Sequence, residues 1–156
     1  MTTRAVKSDV VAAIDRAWAD TPGPPEGRIT ISPDEYDDRA EMQRDLRGRH
    51  WREIPRETLF AWRIDLSGLS PAGLRFYLPA WLLAALDDED IRGFLLGFFV
   101  VRARDDRLNE TLSVFSSGER AALRAFFEYM AETDEEDWRA LAEAVPVSGK
   151  STPAKS

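Results

Sequence analysis

Apolar side chains recur at three- and four-residue spacings along most of this chain, the period of a helix with one buried face. Val6, Val10, Ala13, Ile14, Ala17 and Trp18 share such a face and predict a first helix over Thr3–Asp20. The run DTPGPPEG ends it, because the three prolines and two glycines between Pro22 and Gly27 cannot continue a helix. Arg28–Ser32 (RITIS) alternates as a strand does, but it is too short and solitary to found a sheet and reads as an extended linker. Ser32, Pro33 and Glu35 carry a cap, a helix-start proline and a capping-box acid, predicting a helix from there to about Gly48. Its apolar face is thin, with Tyr36, Ala40 and Leu46 on one side and Met42 off it; a helix this polar packs weakly or is completed by a partner. PRETLFAW predicts a short helix with bulk from Leu59, Phe60 and Trp62, and Arg63–Gly68 a connector.

The next unit, Leu69–Asp90, is apolar but carries Pro79. Ser70 and Pro71 repeat the cap-then-proline start. A proline inside a helix removes one backbone hydrogen bond and crowds the preceding turn, at about 3 kcal/mol, whereas at the first turn of a new helix the cost largely vanishes. The expectation is therefore a corner at Pro79 between helices over about 71–77 and 79–87. Asp87–Asp90 (DDED) closes this unit and places acids at the start of the next helix, where the macrodipole favours them. Ile91–Val101 is apolar all round and predicts a central buried helix; eleven residues span about 16 Å, too short for a bilayer. Gly93 and Gly97 in it would permit close approach of a neighbour.

RARDDRLNE reads as a charged loop. Beyond it, Ser116 and Glu119 form a predicted capping box for a helix burying Ala122, Leu123, Ala125, Phe126, Tyr129 and Met130, with Arg120, Arg124 and Glu128 as its wet stripe. Thr133 and Glu136 repeat the device for a last helix bearing Trp138, Leu141 and Val145. Pro146 stops it, and residues 147–156 read as a disordered tail. LSGLSPAG and LSVFSSGE share a Leu-Ser-x-apolar-Ser pattern 46 residues apart, which reads either as a degenerate duplication or, more plainly, as capping chemistry used twice. The fold class is thus all-α: a single-domain bundle of about six to seven helices over residues 1–146, bent at Pro79, with its central apolar helix near 91–101.

Charge changes the functional picture more than composition does. A net charge of −7 argues against a general nucleic-acid binder, whose affinity comes largely from neutralising phosphates. It is unevenly spread: Arg39–Arg63 holds seven arginines against four acids, while Asp87–Asp137 holds fourteen acids against six arginines. With no cysteine there are neither disulfides nor thiolate metal sites, and the charged amphipathic start does not read as a signal peptide, so a cytoplasmic location is expected.

His50, the only histidine, sits among Arg47, Arg49, Trp51 and Arg52. Catalysis would need a nucleophile and an orienting group at hand; a surface or cap role is the plainer reading. Trp51 with these arginines could form an anchor patch, since Trp and Arg are enriched at interface hot spots, or could close the core. The binding candidates are Arg47, Arg49, His50, Trp51 and Arg52; no catalytic residue, metal or cofactor is predicted. DDED lacks the alternating ligands and glycine of a calcium loop. SGKST has Ala144 where a phosphate loop needs glycine.

GRHWREIP, LSGLSPAGLRFYLPAWLLAAL and LSVFSSGERAALRAFFEYM together resemble a family of small bacterial proteins defined only as a domain of unknown function, over about residues 36–130. Its specific part is Phe76-Tyr77-Leu78-Pro79-Ala80-Trp81; Gly73 and Trp81 depart from the family pattern. The resemblance implies a fold and carries no catalytic residues.

The expected function is a non-enzymatic binding protein docking an unknown protein partner, with neither nucleic acid nor membrane as its target. An immunity or antitoxin role is one version, since an acidic helical chain can occupy a basic site. The rival is a small-molecule or lipid-binding domain with its pocket at the Pro79 bend.

Overall fold

Tertiary burial, more than local propensity, sets where the helices run. The computed structural model describes residues 6–25, 27–132 and 136–146. Among these are eight α-helices: α1 Lys7–Ala17, α2 Asp37–Leu46, α3 Arg56–Ala61, α4 Pro71–Ala85, α5 Glu89–Arg104, α6 Leu108–Leu112, α7 Ser117–Ala131 and α8 Glu136–Ala144. Short 3₁₀ turns occupy Trp51–Glu53 and Leu66–Gly68. The fold class is all-α, as the periodicity predicts. The predicted N-terminal start at Thr3, the cap at Thr133 and the tail at 147–156 lie outside the described residues.

The chain divides into two compact units, one built from Thr21–Phe98 and the other from the N-terminal helix with the chain from Phe99 onward. In the latter, α7 packs on α8 and α1. Trp18 meets Phe115 edge-on at 6.0 Å, Phe99 meets Phe127 at 5.1 Å and Phe126 meets Trp138 at 5.7 Å. Ser116 and Glu119 close the predicted capping box with both arms, at 2.8 and 3.1 Å. Phe127 is buried as well, a core residue missing from the predicted face. The stretch read as a charged loop contains α6, with Leu108 and Leu112 buried.

In the Thr21–Phe98 unit the two-helix corner at Pro79 is not formed. α4 runs unbroken through Pro79. One continuous axis puts Phe76, Tyr77, Leu78, Trp81 and Leu82 all in the core. Burying each such side chain contributes roughly 1.5–3 kcal/mol, which together outweighs the ~3 kcal/mol a mid-helix proline costs. The Trp81 indole N–H donates to the carbonyl of Leu59 on α3 at 2.9 Å, and that of Trp62 donates to Asp45 on α2 at 2.7 Å. Arg92 donates to the Ala85 and Leu86 carbonyls, satisfying the end of α4. Asp88 caps α5, its carboxylate accepting from the Asp90 and Ile91 amides at 2.9 and 3.1 Å, so the DDED run serves a helix terminus. No cluster of metal-ligating side chains occurs among the described residues.

The predicted helix start at Ser32 also fails. Ser32 takes a positive φ of 51°, and α2 begins only at Asp37. The cause is upstream: residues 28–31 form a strap fixed on two sides. The Ile31 amide donates to Gly68 at 2.8 Å and the Ser70 amide to Ile29 at 2.9 Å, around an antiparallel bridge between Thr30 and Leu69. The Gln43 side-chain oxygen accepts from the Ile29 and Thr30 amides at 3.0 and 3.2 Å. Met42 and Leu46, not Tyr36, form the buried face of α2. α5 departs from expectation too: only Ile91, Leu95 and Phe99 of its apolar run are buried, while Phe94 and Val101 are 45% and 50% exposed. It is a one-faced helix with a second apolar side in solvent. No described helix is long and apolar enough to cross a membrane.

Candidate functional site

The loop after α2 begins at Arg47 and reverses at Gly48, whose φ of 77° is open to glycine at no steric cost. His50 then starts the Trp51–Glu53 turn as its N-cap. Its Nδ1 accepts from the Arg52 amide at 3.0 Å, and its own amide donates to the Glu53 carboxylate at 3.3 Å. With Nδ1 an acceptor, the neutral ring carries its proton on Nε2. His50 is thus a structural cap, and the nitrogen a general base would use is already engaged.

Behind this loop stands α4. The Tyr77 hydroxyl lies 2.9 Å from the Leu46 carbonyl oxygen and 3.0 Å from that of Arg49, and shares its single proton between them. Burial pushes this hydroxyl up to about 12 from its ordinary 10.0. The His50 ring meets Phe76 edge-on at 5.4 Å, and Phe76 meets Tyr77 at 4.9 Å. These contacts hold the Arg47–His50 loop against the aromatic pair of α4.

The result is a cleft of about 470 Å³. Phe76, Tyr77 and Ile29 give it apolar walls; Pro24, Pro25 and Gly27 form one rim, and Arg47, Gly48 and Arg49 with His50 form the other. The strap holds Ile29 in place, and its carbonyl presses so closely on α4 that a Cβ at Gly73 would lie 2.2 Å from it. Arg47 and Arg49 are exposed and make no ion pair among the described residues. Two exposed guanidinium groups beside an aromatic pair suit an anion that carries apolar bulk.

Of the five residues singled out in the sequence, the fold brings Arg47, Arg49 and His50 to this cleft. Trp51 is not a surface anchor. It is 1% exposed, packed beside His50 at 5.2 Å, and its buried Nε1 has no hydrogen-bond partner among the described residues. Arg52 covers the Trp51 ring at 4.4 Å instead of lining the cleft. Nor does the cleft open at Pro79, which is buried. Ile29, Pro24, Pro25, Phe76 and Tyr77 were not predicted as site residues, because their convergence depends on the strap and on the Tyr77 hydrogen bonds, neither of which has a local sequence signature.

Farther along the basic segment, the Arg63 guanidinium lies 3.7 Å from the Phe60 ring centroid and 5.0 Å from that of Phe94. Asp65, near the start of α2, has its carboxyl raised by desolvation and by Asp38, with Arg39 opposing.

Comparison with curated proteins and with solved structures gave no match. The chain matches the family of unknown function DUF6714 over residues 6–145, which takes in every helix from α1 to α8, and it belongs to that family.

Proposed function

We propose that this chain is a non-enzymatic binding protein whose Arg47–Arg49 cleft captures an acidic segment of a partner protein. The observation that carries this reading is the pairing of two exposed arginines, with no ion pair among the described residues, with Phe76 and Tyr77 in one cleft, on a chain whose net charge is −7. On so acidic a chain, exposed positive charge at an apolar cleft is a recognition feature more than a solubility feature. Carboxylates of the partner meet Arg47 and Arg49, while an apolar side chain packs on the aromatic wall; Trp, Tyr and Arg dominate such contacts energetically. Acidic-face mimicry of the immunity type draws on the opposite charge and gains no support from this cleft.

A second reading, a small anionic aromatic ligand, is favoured by the cleft's volume of about 470 Å³, which falls in the range of ligand pockets. Affinity capture from the native host with wild-type bait and an R47E/R49E bait separates the outcomes. A protein retained by the first and lost by the second supports the proposal. A partner held equally by both refutes it, and a copurified small molecule in native mass spectrometry shifts the reading to the ligand.

A further inference from the structure

Three large apolar side chains of the Thr21–Phe98 unit stand in solvent around one cation: Phe60, Ile64 and Phe94 are 38%, 57% and 45% exposed. The Arg63 guanidinium is stacked on both rings, 3.7 Å from the Phe60 centroid and 5.0 Å from that of Phe94. Its Nη1 donates to the Phe60 carbonyl at 2.7 Å, which ties the side chain back to α3. The buried Nε has no hydrogen-bond partner among the described residues, and the side chain makes no ion pair there. A guanidinium fixed by two rings and a carbonyl has already lost much of its rotamer freedom, so a carboxylate meets it at little further entropic cost. The rings occupy the flat faces of the group and leave its edge to an anion, where Nη2 and the remaining N–H of Nη1 can donate side by side.

We propose that Phe60, Arg63, Ile64 and Phe94 form a second docking surface, for a partner-protein segment that carries an Asp or Glu flanked by apolar side chains. The carboxylate meets the Arg63 guanidinium in its plane, and the apolar neighbours cover Phe60, Ile64 and Phe94. Charge selects this occupant. A purely apolar segment would desolvate Arg63 without supplying an anion, and a basic one would be repelled. Aromatic and arginine side chains are also the types enriched at the centres of protein interfaces, and a cation set among exposed apolar groups has that composition. The surface shares no residue with the Arg47–Arg49 cleft and stands independently of it.

Random peptides displayed on phage, depleted on R63Q and then selected on the full wild-type chain, test this. The enriched sequences should share an Asp or Glu beside aromatic or aliphatic residues. A synthetic copy of one should bind R47E/R49E as tightly as wild type, and R63Q and F94A about tenfold more weakly or worse. Circular dichroism confirms that each variant is folded; Ile64→Ser, at a side chain more than half exposed, gives the same reading should R63Q or F94A unfold. No enrichment over the R63Q bait overturns the proposal, as do enriched sequences without an acid. So does a peptide that binds F94A and I64S as it binds wild type, or one lost in R47E/R49E instead. Self-association of the chain that R63Q abolishes would give the surface to a second copy and overturn it as well.

Discussion

The Tyr77 hydroxyl on α4 stands 2.9 Å from the carbonyl oxygen of Leu46, the last residue of α2, and this contact ties the loop that carries Arg47 and Arg49 to the core. Tyr77→Phe removes the hydroxyl donor shared by that carbonyl and the one of Arg49, although Leu46 still accepts from the Arg49 amide at 3.1 Å. It should cost about 1–3 kcal/mol in urea denaturation at neutral pH. The hydroxyl, raised from 10.0 to about 12, contributes stability that is complete below pH 10 and is lost as pH rises toward about 12. That loss is roughly 2 kcal/mol after allowing for partial solvent access. The gap between wild type and Tyr77→Phe should therefore narrow across this window; a constant gap would show that the hydroxyl does not titrate with unfolding.

Gly73 and Gly97 are both helical glycines with opposite surroundings. An alanine at 73 drives its Cβ to 2.2 Å from the Ile29 carbonyl oxygen, so the strap must move; about 2–3 kcal/mol of stability should go with it. An alanine at 97 meets open space and should stabilise the fold by about 0.4–1 kcal/mol through backbone entropy. Thermal melts of the two variants check the contrast. Equal effects at the two positions would contradict the close approach at Gly73.

Ser116→Ala removes the hydroxyl that accepts from the Glu119 amide, one of the two arms of the capping box, while the Ser116 amide still donates to the buried Glu119 carboxylate. The expected loss is about 1 kcal/mol, as for other N-caps. Ser116→Asp should recover most of it, and denaturant midpoints of the three proteins measure both effects.

Arg47→Glu and Arg49→Glu, separately or together, should change stability by no more than about 0.5 kcal/mol, since both side chains are exposed and make no ion pair among the described residues. A cooperative loss of structure in either variant would mean that these arginines hold the loop and are not available to a partner.

How much of this was legible beforehand differs by element. The capping box at Ser116, the Ser70–Pro71 start, the buried face of α8 and the buried Val10, Ile14 and Trp18 at α1 were readable because each rests on residues within two turns of one another, whereas Val6 of the predicted α1 face is 49% exposed. The strap was not: Gln43 and Gly68 fix it from 13 or more residues away, and they override the cap signal at Ser32. α6 is hidden because five residues among charges show too little periodicity, although Leu108 and Leu112 anchor it. Pro79 misled because its cost is local while the burial that offsets it is tertiary. At the cleft, the arginines and His50 are visible as a cluster, whereas Trp51, which the sequence leaves open between an anchor patch and the core, is buried by the fold. An apolar run such as Ile91–Val101 gives no sign of whether its second face is covered, and here that face is left to solvent.

The recognition role of the cleft is tested most directly by NMR titration of the ¹⁵N-labelled chain with an acidic peptide carrying one central aromatic residue, beside a lysine-rich peptide of the same length. Shifts confined to the amides of Gly27, Ile29, Gly48, Arg49, His50 and Phe76, absent with the basic peptide, abolished at high salt and lost in R47E/R49E, are the predicted result. Shifts scattered over the surface, or an acidic peptide that leaves these amides unmoved, would contradict it.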